Sequence, residues 1–269
     1  MLRRLRADPT FASSLYAICR PIYAVAKSIE NLITRSVKRS GGSATYDGIA
    51  LNFPPNVGPE FLSLISWHGT QGFEPNTWRT LRALIEKSGT FIDVGANIGF
   101  YSVLAKKVRP EIDVISFEPI PNICNQNRAF HSANGIAPSV RQVALSNKNG
   151  VATIYQPLQS DSGETSASTL ATDSWQARKG HTAITVETIT LDSFLGSAKL
   201  RCPITMKIDV EDFEYAVLRG AAETIRQYRP QIVCEILPAL AASTTELATN
   251  TSRPASNIVT RKLFLFLPT

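Results

Sequence analysis

From Thr90 onward, short β-branched runs alternate with stretches of helical spacing, and no other feature restricts the fold of this chain so tightly. Strands are expected at 90–94, 113–117, 140–145, 204–210 and 232–236, and helices at 98–108, 122–132 and 214–227. Strands separated by helices of this length form βαβ units, whose right-handed crossovers generate a mostly parallel sheet with helices on both faces. The fold class is therefore α/β. A hairpin-like insertion at 151–155 and 184–191 interrupts the alternation. The Ser-, Thr-, Asp- and Gly-rich stretch at 157–182 between its arms reads as a mobile loop on the substrate side.

Ahead of this body lie two further segments. Residues 1–42 read as a basic amphipathic helical extension, kinked at Pro21, and residues 43–89 as a lead-in of hairpin and helix. Ser40-Gly41-Gly42-Ser43 reads as a flexible joint between extension and lead-in. Residues 90–269 form the main domain. The formal charge of +6 belongs to the first 40 residues, which carry eight Lys or Arg against Asp8 and Glu30. The remainder balances 20 basic with 20 acidic side chains, so the body lacks the basic footprint of a nucleic-acid binder. The basic extension is expected either to pack on the body or to touch an anionic membrane surface. No run of 18 apolar residues exists to span a bilayer. Cys19, Cys124, Cys202 and Cys234 are scattered without zinc-like spacing, and no metal-ligand set is read. Scattered cysteines without a secretory leader lead to the expectation of a cytoplasmic protein.

The segment Phe91-Ile92-Asp93-Val94-Gly95-Ala96-Asn97-Ile98-Gly99 is an apolar strand that ends in an acid, turns through two glycines and opens a helix. Gly95 and Gly99 are expected to let the backbone approach a ligand, and the helix start to offer N–H groups to an anion. Asp93 ahead of the turn would repel a pyrophosphate but can hold an ammonium group, and Asn97 replaces the middle glycine of the dinucleotide fingerprint. A ligand bearing both an amino group and a carboxylate, such as S-adenosyl-L-methionine, fits better than NAD. Glu118, with Pro119 after it, ends the second strand, where an acid can accept two hydrogen bonds from a ribose diol. Ala144, Leu145 and Ser146 could edge an adenine ring. On the fourth strand Lys207, Asp209 and Glu211 are expected to share one face, as a catalytic group at the carboxyl end of the sheet or as an ion pair within it. Asp212 suits the N-cap of the next helix.

Together these residues resemble the FkbM-type methyltransferases. The resemblance rests on Gly72-Phe73-Glu74-Pro75, residues 91–99, Phe117-Glu118-Pro119, Ala144-Leu145-Ser146, Thr190-Leu191-Asp192-Ser193-Phe194, Lys207 to Glu211, Val217-Leu218-Arg219-Gly220 and Val233-Cys234-Glu235-Ile236, and spans about residues 45–236. It implies a Rossmann-like methyltransferase fold and S-adenosyl-L-methionine-dependent methyl transfer to a hydroxyl of a sugar, glycan or secondary metabolite. Asp93, Gly95, Asn97, Gly99, Glu118, Pro119, Ala144, Leu145 and Ser146 would bind the cofactor. Asp209, Glu211 and Lys207 would be catalytic, and Glu74, His68 and His181 would face the acceptor. The chain departs from the family pattern at Asp212, where a glycine is usual, and at 237–260, which hold eight Ser or Thr and no aromatic residue; only 263–267 resembles a closing strand. Two other readings compete: an inactive methyltransferase-like binding module, and an NAD(P)-dependent oxidoreductase, which Asp93 and Asn97 disfavour.

Overall fold

The computed structural model describes residues 41–157, 181–211 and 213–235. The amphipathic extension and the C-terminal residues from 236 on, including the expected closing strand, lie outside the described residues, as do Asp212 and most of the expected loop at 157–182.

Strands β1 (Gly42–Tyr46) and β2 (Ile49–Phe53) form an antiparallel hairpin, followed by helix α1 (Pro59–His68), a short 3-10 turn (Gly69–Gly72) and helix α2 (Pro75–Ile85). Gly42 and Ser43, expected in a flexible joint, are instead paired with Phe53 and Asn52. The hairpin is anchored by polar side chains as well as by packing. The Tyr46 hydroxyl donates to the Phe73 carbonyl at 2.5 Å, and Trp78 Nε1 donates to Asp47 at 2.7 Å. These bonds fix the Gly72–Pro75 stretch and the first turn of α2 against the hairpin.

The body then runs β3 (Thr90–Val94), α3 (Phe100–Val108), β4 (Asp113–Phe117), α4 (Pro121–Ala133), β5 (Val140–Arg141), β6 (Ala144–Leu145), β7 (Gly150–Pro157) and β8 (His181–Ile189). It continues with α5 (Leu191–Leu195), β9 (Ile204–Ile208), α6 (Glu214–Gly220), α7 (Ala222–Tyr228) and β10 (Gln231–Cys234). Among the described residues the main sheet has the order β10-β9-β3-β4-β5, with every pairing parallel. Alternation along β3 feeds two cores. Phe91 packs with Trp78, Leu81, Phe100 and Leu104 on one face, while Ile92 and Val94 pack with Met206, Ile208, Leu191 and Val217 on the other.

Three expected elements differ. The strand expected at 140–145 is two pieces, because the Val143 amide turns back to the Arg141 carbonyl at 3.0 Å. β5 therefore stays in the main sheet, and β6 crosses to a second sheet of order β6-β8-β7. The helix expected at 214–227 breaks at Gly220–Ala221, where the chain presses on the β6 exit: a Cβ at position 220 would lie 1.9 Å from the Ser146 carbonyl oxygen. Asp192 then caps α7 from outside, its carboxylate accepting from the Glu223 and Thr224 amides at 3.0 and 2.8 Å. The hairpin arms are longer than expected, so that Pro157, His181 and Thr182 belong to paired strands, whereas Leu191 opens α5 behind a Thr190 cap.

Candidate active site

A cleft of about 330 Å³ lies across the carboxyl ends of the main sheet. It runs from the β4 end (Phe117 to Ile120) and the β5–β6 link (Val143 to Leu145), over the β3 turn (Val94 to Asn97), to the β9 end (Lys207 and Asp209 to Glu211) and Glu235 beyond β10. Phe61, Phe73 and Glu74 from the lead-in and Phe100 and Tyr101 from α3 complete the wall. Carboxyl ends of an open parallel sheet are where ligands bind in α/β folds.

The β3 turn differs in detail from the reading of its glycines. Gly95 and Gly99 both have left-handed backbones, with φ of 73° and 81°. The close neighbours are parts of the protein: a Cβ on Gly95 would sit 1.9 Å from the Asp209 carbonyl oxygen, and one on Gly99 would sit 2.5 Å from His131 Cε1. The turn's amides are also committed within the chain. Those of Gly95 and Ala96 donate to the Phe117 carbonyl, Asn97 donates to Glu118, Ile98 to the Asn97 side chain and Gly99 to the Ala96 carbonyl. Asn97 itself adopts φ 51°, which asparagine tolerates better than most residues. The turn is thus a rigid support, and Gly95 and Asn97 line the cleft while Gly99 caps α3 beneath it.

Glu118 lines the cleft with its carboxylate held by two amides, Asn97 to Oε2 at 3.1 Å and Ile120 to Oε1 at 3.0 Å. Each oxygen keeps a second lone pair for a ligand hydroxyl. Burial pushes this carboxyl up to about 7, against the pull of the two amides. Asp93, by contrast, is wholly buried and lies under the cleft rather than on its wall. Its Oδ2 accepts from the Ser102 hydroxyl at 2.6 Å, and its Oδ1 faces Lys207 Nζ at 4.0 Å. Register explains the pairing, since Asp93 and Lys207 are direct neighbours across β3 and β9. Asp93, expected to hold a ligand ammonium, thus stands outside the cleft lining and faces Lys207 from below. Burial raises its carboxyl, while the Lys207 ammonium and the Ser102 hydroxyl draw it back.

Ser102 also meets Ser116 at 2.8 Å, and Ser116 meets Ser139 at 3.3 Å. Because the Ser102 proton goes to Asp93, Ser116 is the donor to Ser102, and the hydroxyls point inward toward the acid. Removing a hydrogen bond to a buried charge costs about 2 kcal/mol. Ser102→Ala is expected to lose about that much stability in urea denaturation; an unchanged midpoint would show that the hydroxyl does not hold Asp93.

Lys207 and Asp209 form an ion pair at 3.0 Å, with the Lys207 ammonium 5.4 Å over the Tyr101 ring. Burial works against the ammonium, but Asp209, Asp93 and Glu74 together outweigh it and hold the lysine charged. The expected common face of Lys207, Asp209 and Glu211 does not extend along one strand: β9 stops at Ile208, and Glu211 sits on a left-handed backbone at φ 50°. All three nevertheless line the same cleft. Glu74, at φ 38°, brings its carboxylate into the wall from the lead-in and accepts from the Tyr101 hydroxyl at 2.7 Å.

Other expected residues fall elsewhere. Pro119, Ala144 and Leu145 line the cleft, but Ser146 is buried behind it, its amide tied to the Ile189 carbonyl. His68 ends α1 and is not part of the lining, and the backbone of His181 opens β8 opposite Pro157, three register positions beyond the lining residue Ile154. Sequence reasoning missed Tyr101, the aromatic wall of Phe61, Phe73 and Phe100, and Glu235. The rule that ligands sit at carboxyl ends of strands could have found Glu235, one residue past β10. His131, also buried, keeps its Nδ1 proton on the Asn127 carbonyl at 2.9 Å, and burial lowers its pKa; it supports Gly99 from beneath. Among the described residues no group of three His, Cys, Asp or Glu is placed to hold a metal, and no helix is long and apolar enough to cross a membrane.

A five-stranded parallel sheet flanked by helices, with its cleft at the carboxyl ends, defines a Rossmann-like α/β protein of methyltransferase type. Residues 93–247 match the model of the methyltransferase FkbM domain, more than half of the chain, and the protein belongs to that family. No curated protein and no solved structure gives a match.

Proposed function

We propose that the protein is an S-adenosyl-L-methionine-dependent O-methyltransferase acting on a hydroxyl of a sugar, glycan or other small metabolite. The observation that carries this reading is the cleft itself: one acid at the β4 end with free lone pairs, and a second group of carboxylates two strands away at the β9 end. Strands about 4.8 Å apart put roughly 10 Å between those ends, room for a nucleoside at the first and an acceptor hydroxyl at the second. The donor set fits such a ligand. Glu118 would accept from the ribose diol, with Phe117, Ile123, Val143 and Leu145 offering apolar surface to the base.

The cofactor supplies an electrophilic methyl group. At the β9 end Asp209, held by Lys207, and Glu211 would orient the acceptor hydroxyl and receive its proton as it becomes acidic in the transition state. Glu74 and the lead-in aromatics would close the acceptor side and exclude water. Transfer of labelled methyl groups from S-adenosylmethionine to a panel of sugars and hydroxylated metabolites, with the methyl position read by NMR, tests the reaction class. Methyl groups on nitrogen or carbon alone would contradict it.

Glu118 gives this reading a pH signature. Only the ionised carboxylate accepts from both ribose hydroxyls, and with its folded pKa raised to about 7 the proton returns as pH falls through neutrality. S-adenosylhomocysteine is expected to bind about ten-fold more weakly at pH 6 than at pH 8. Calorimetric titration across that range checks it, and Glu118→Gln should flatten the dependence.

A further inference from the structure

Resting on the cofactor reading above, the support of Glu118 can be traced beneath the cleft into α4. The two amides that hold its carboxylate differ in kind. Ile120 lies two residues on in the same turn, whereas Asn97 reaches across from the β3 turn. Asn97 is itself fixed at several points. Its backbone is left-handed at φ 51°, its side-chain oxygen accepts from the Ile98 amide at 2.8 Å, and its carbonyl accepts from Asn127 Nδ2 at 2.8 Å.

Asn127 stands midway along α4 with no exposure. Because the Asn97 carbonyl can only accept, the Asn127 amide turns its nitrogen toward it, and its oxygen is left buried with no partner among the described residues. An unpartnered buried oxygen is costly, and a leucine of similar size would fill the space without that cost. Packing therefore does not account for an amide here; the bond to the Asn97 carbonyl does. The amide lies directly under the start of α3, for a Cβ on Gly99 would meet Asn127 Nδ2 at 2.7 Å and Cγ at 2.9 Å. His131 secures the same stretch of α4, its Nδ1 donating to the Asn127 backbone carbonyl at 2.9 Å.

We propose that Asn127 is a positioning residue for the cofactor, acting through the Asn97 turn to hold the Glu118 carboxylate where the ribose diol would meet it. Asn127 is not part of the cleft lining and acts only through the turn. Loss of its donor frees the Asn97 carbonyl, and the Asn97 amide then leaves its line to Glu118. That amide draws the Glu118 carboxyl down against burial, so without it the carboxyl rises further. The other groups that face Glu118 stay in place: Asp93 on β3, which raises it, Lys207 on β9, which lowers it, and Cys124 on α4, whose thiol donates to the Glu118 carbonyl at 2.8 Å.

Calorimetric titration of the full chain with S-adenosylhomocysteine between pH 6 and pH 9 tests this in Asn127→Leu, with Asn127→Ala as a second variant and affinities referred to the folded fraction. Affinity at pH 8 should fall about ten-fold, the range for a hydrogen bond to a charged group. The loss should be larger at pH 7 than at pH 9, because the midpoint of the pH dependence moves above that of the parent. In a Glu118→Ala background the same substitution should cost less than about two-fold, since the group it positions is gone. Parent-like affinity and midpoint in the variants would overturn the proposal. An equal loss with and without the Glu118 side chain would also overturn it, leaving Asn127 a packing residue. Both of those results leave the cofactor reading intact, whereas no binding by the folded parent would overturn that reading and this inference with it.

Discussion

Lys207→Met is expected to cost the fold about 3–5 kcal/mol, the range for breaking a buried ion pair by removing one partner. The reason is Asp93, which has no exposure, lies 4.0 Å from the lysine and keeps one oxygen without a hydrogen-bond partner. Without the ammonium, the Ser102 hydroxyl and the weaker pull of His131 are left to oppose the desolvation of that carboxylate. The sign with pH follows. Burial already raises the Asp93 pKa, and loss of Lys207 raises it further, so the folded variant binds its proton where the unfolded chain does not. The deficit is therefore greatest above the folded pKa and shrinks as pH falls toward the unfolded value near 4. Urea midpoints measured at pH 5 and pH 8 should show the larger loss at pH 8. Adding Asp93→Asn should recover part of it, and a full deficit retained in the double variant would show that Lys207 acts through packing alone.

Gly95→Ala is the second large effect. Its φ of 73° costs an L-residue about 1–2 kcal/mol, and the added Cβ would meet the Asp209 carbonyl oxygen at 1.9 Å, a backbone atom that cannot rotate away. Relief requires the β3 turn and the β9 exit to separate, which moves Asp209 and the Glu118-bound Asn97 amide together. We expect a loss of about 4 kcal/mol or more in urea denaturation, and at least a hundred-fold loss of S-adenosylhomocysteine affinity in whatever fraction remains folded. A variant with ordinary stability and affinity would show that the turn is not rigid. Gly48→Ala is a suitable control, for its φ of 77° meets nothing within 4 Å and it stands in the β1–β2 turn away from the cleft.

These two positions also show which part of the molecule the sequence made legible. β3 and β4 follow the expected 90–94 and 113–117 runs because short apolar β-branched segments have few alternatives once they are covered, β3 along its whole length and β4 at Ser116 and Phe117. The Gly95 turn was recognisable as a site marker, but its physical reason was not, since close approach to the Asp209 carbonyl exists only once β9 lies beside β3. The same holds for the breaks at Val143 and at Gly220–Ala221, which arise from contacts between segments distant in sequence. Asp93 was read as a ligand-binding acid because spacing places it at a strand end. Strand register, invisible in a single sequence, instead pairs it with Lys207 below the cleft. Glu118 and Asp209 were accessible from position relative to their strands, whereas Tyr101 emerged only when the lead-in brought Glu74 over α3.

In the proposed function, Glu118 organises a cofactor site in the cleft at the carboxyl ends of β3, β4 and β9. Titration of the full chain with S-adenosylhomocysteine at pH 8, beside a Glu118→Ala variant of matched thermal stability, tests it most directly. Micromolar binding with one site per chain is expected, weakened at least ten-fold in the variant. No heat of binding from the well-folded parent, or equal affinity in the two proteins, would contradict it.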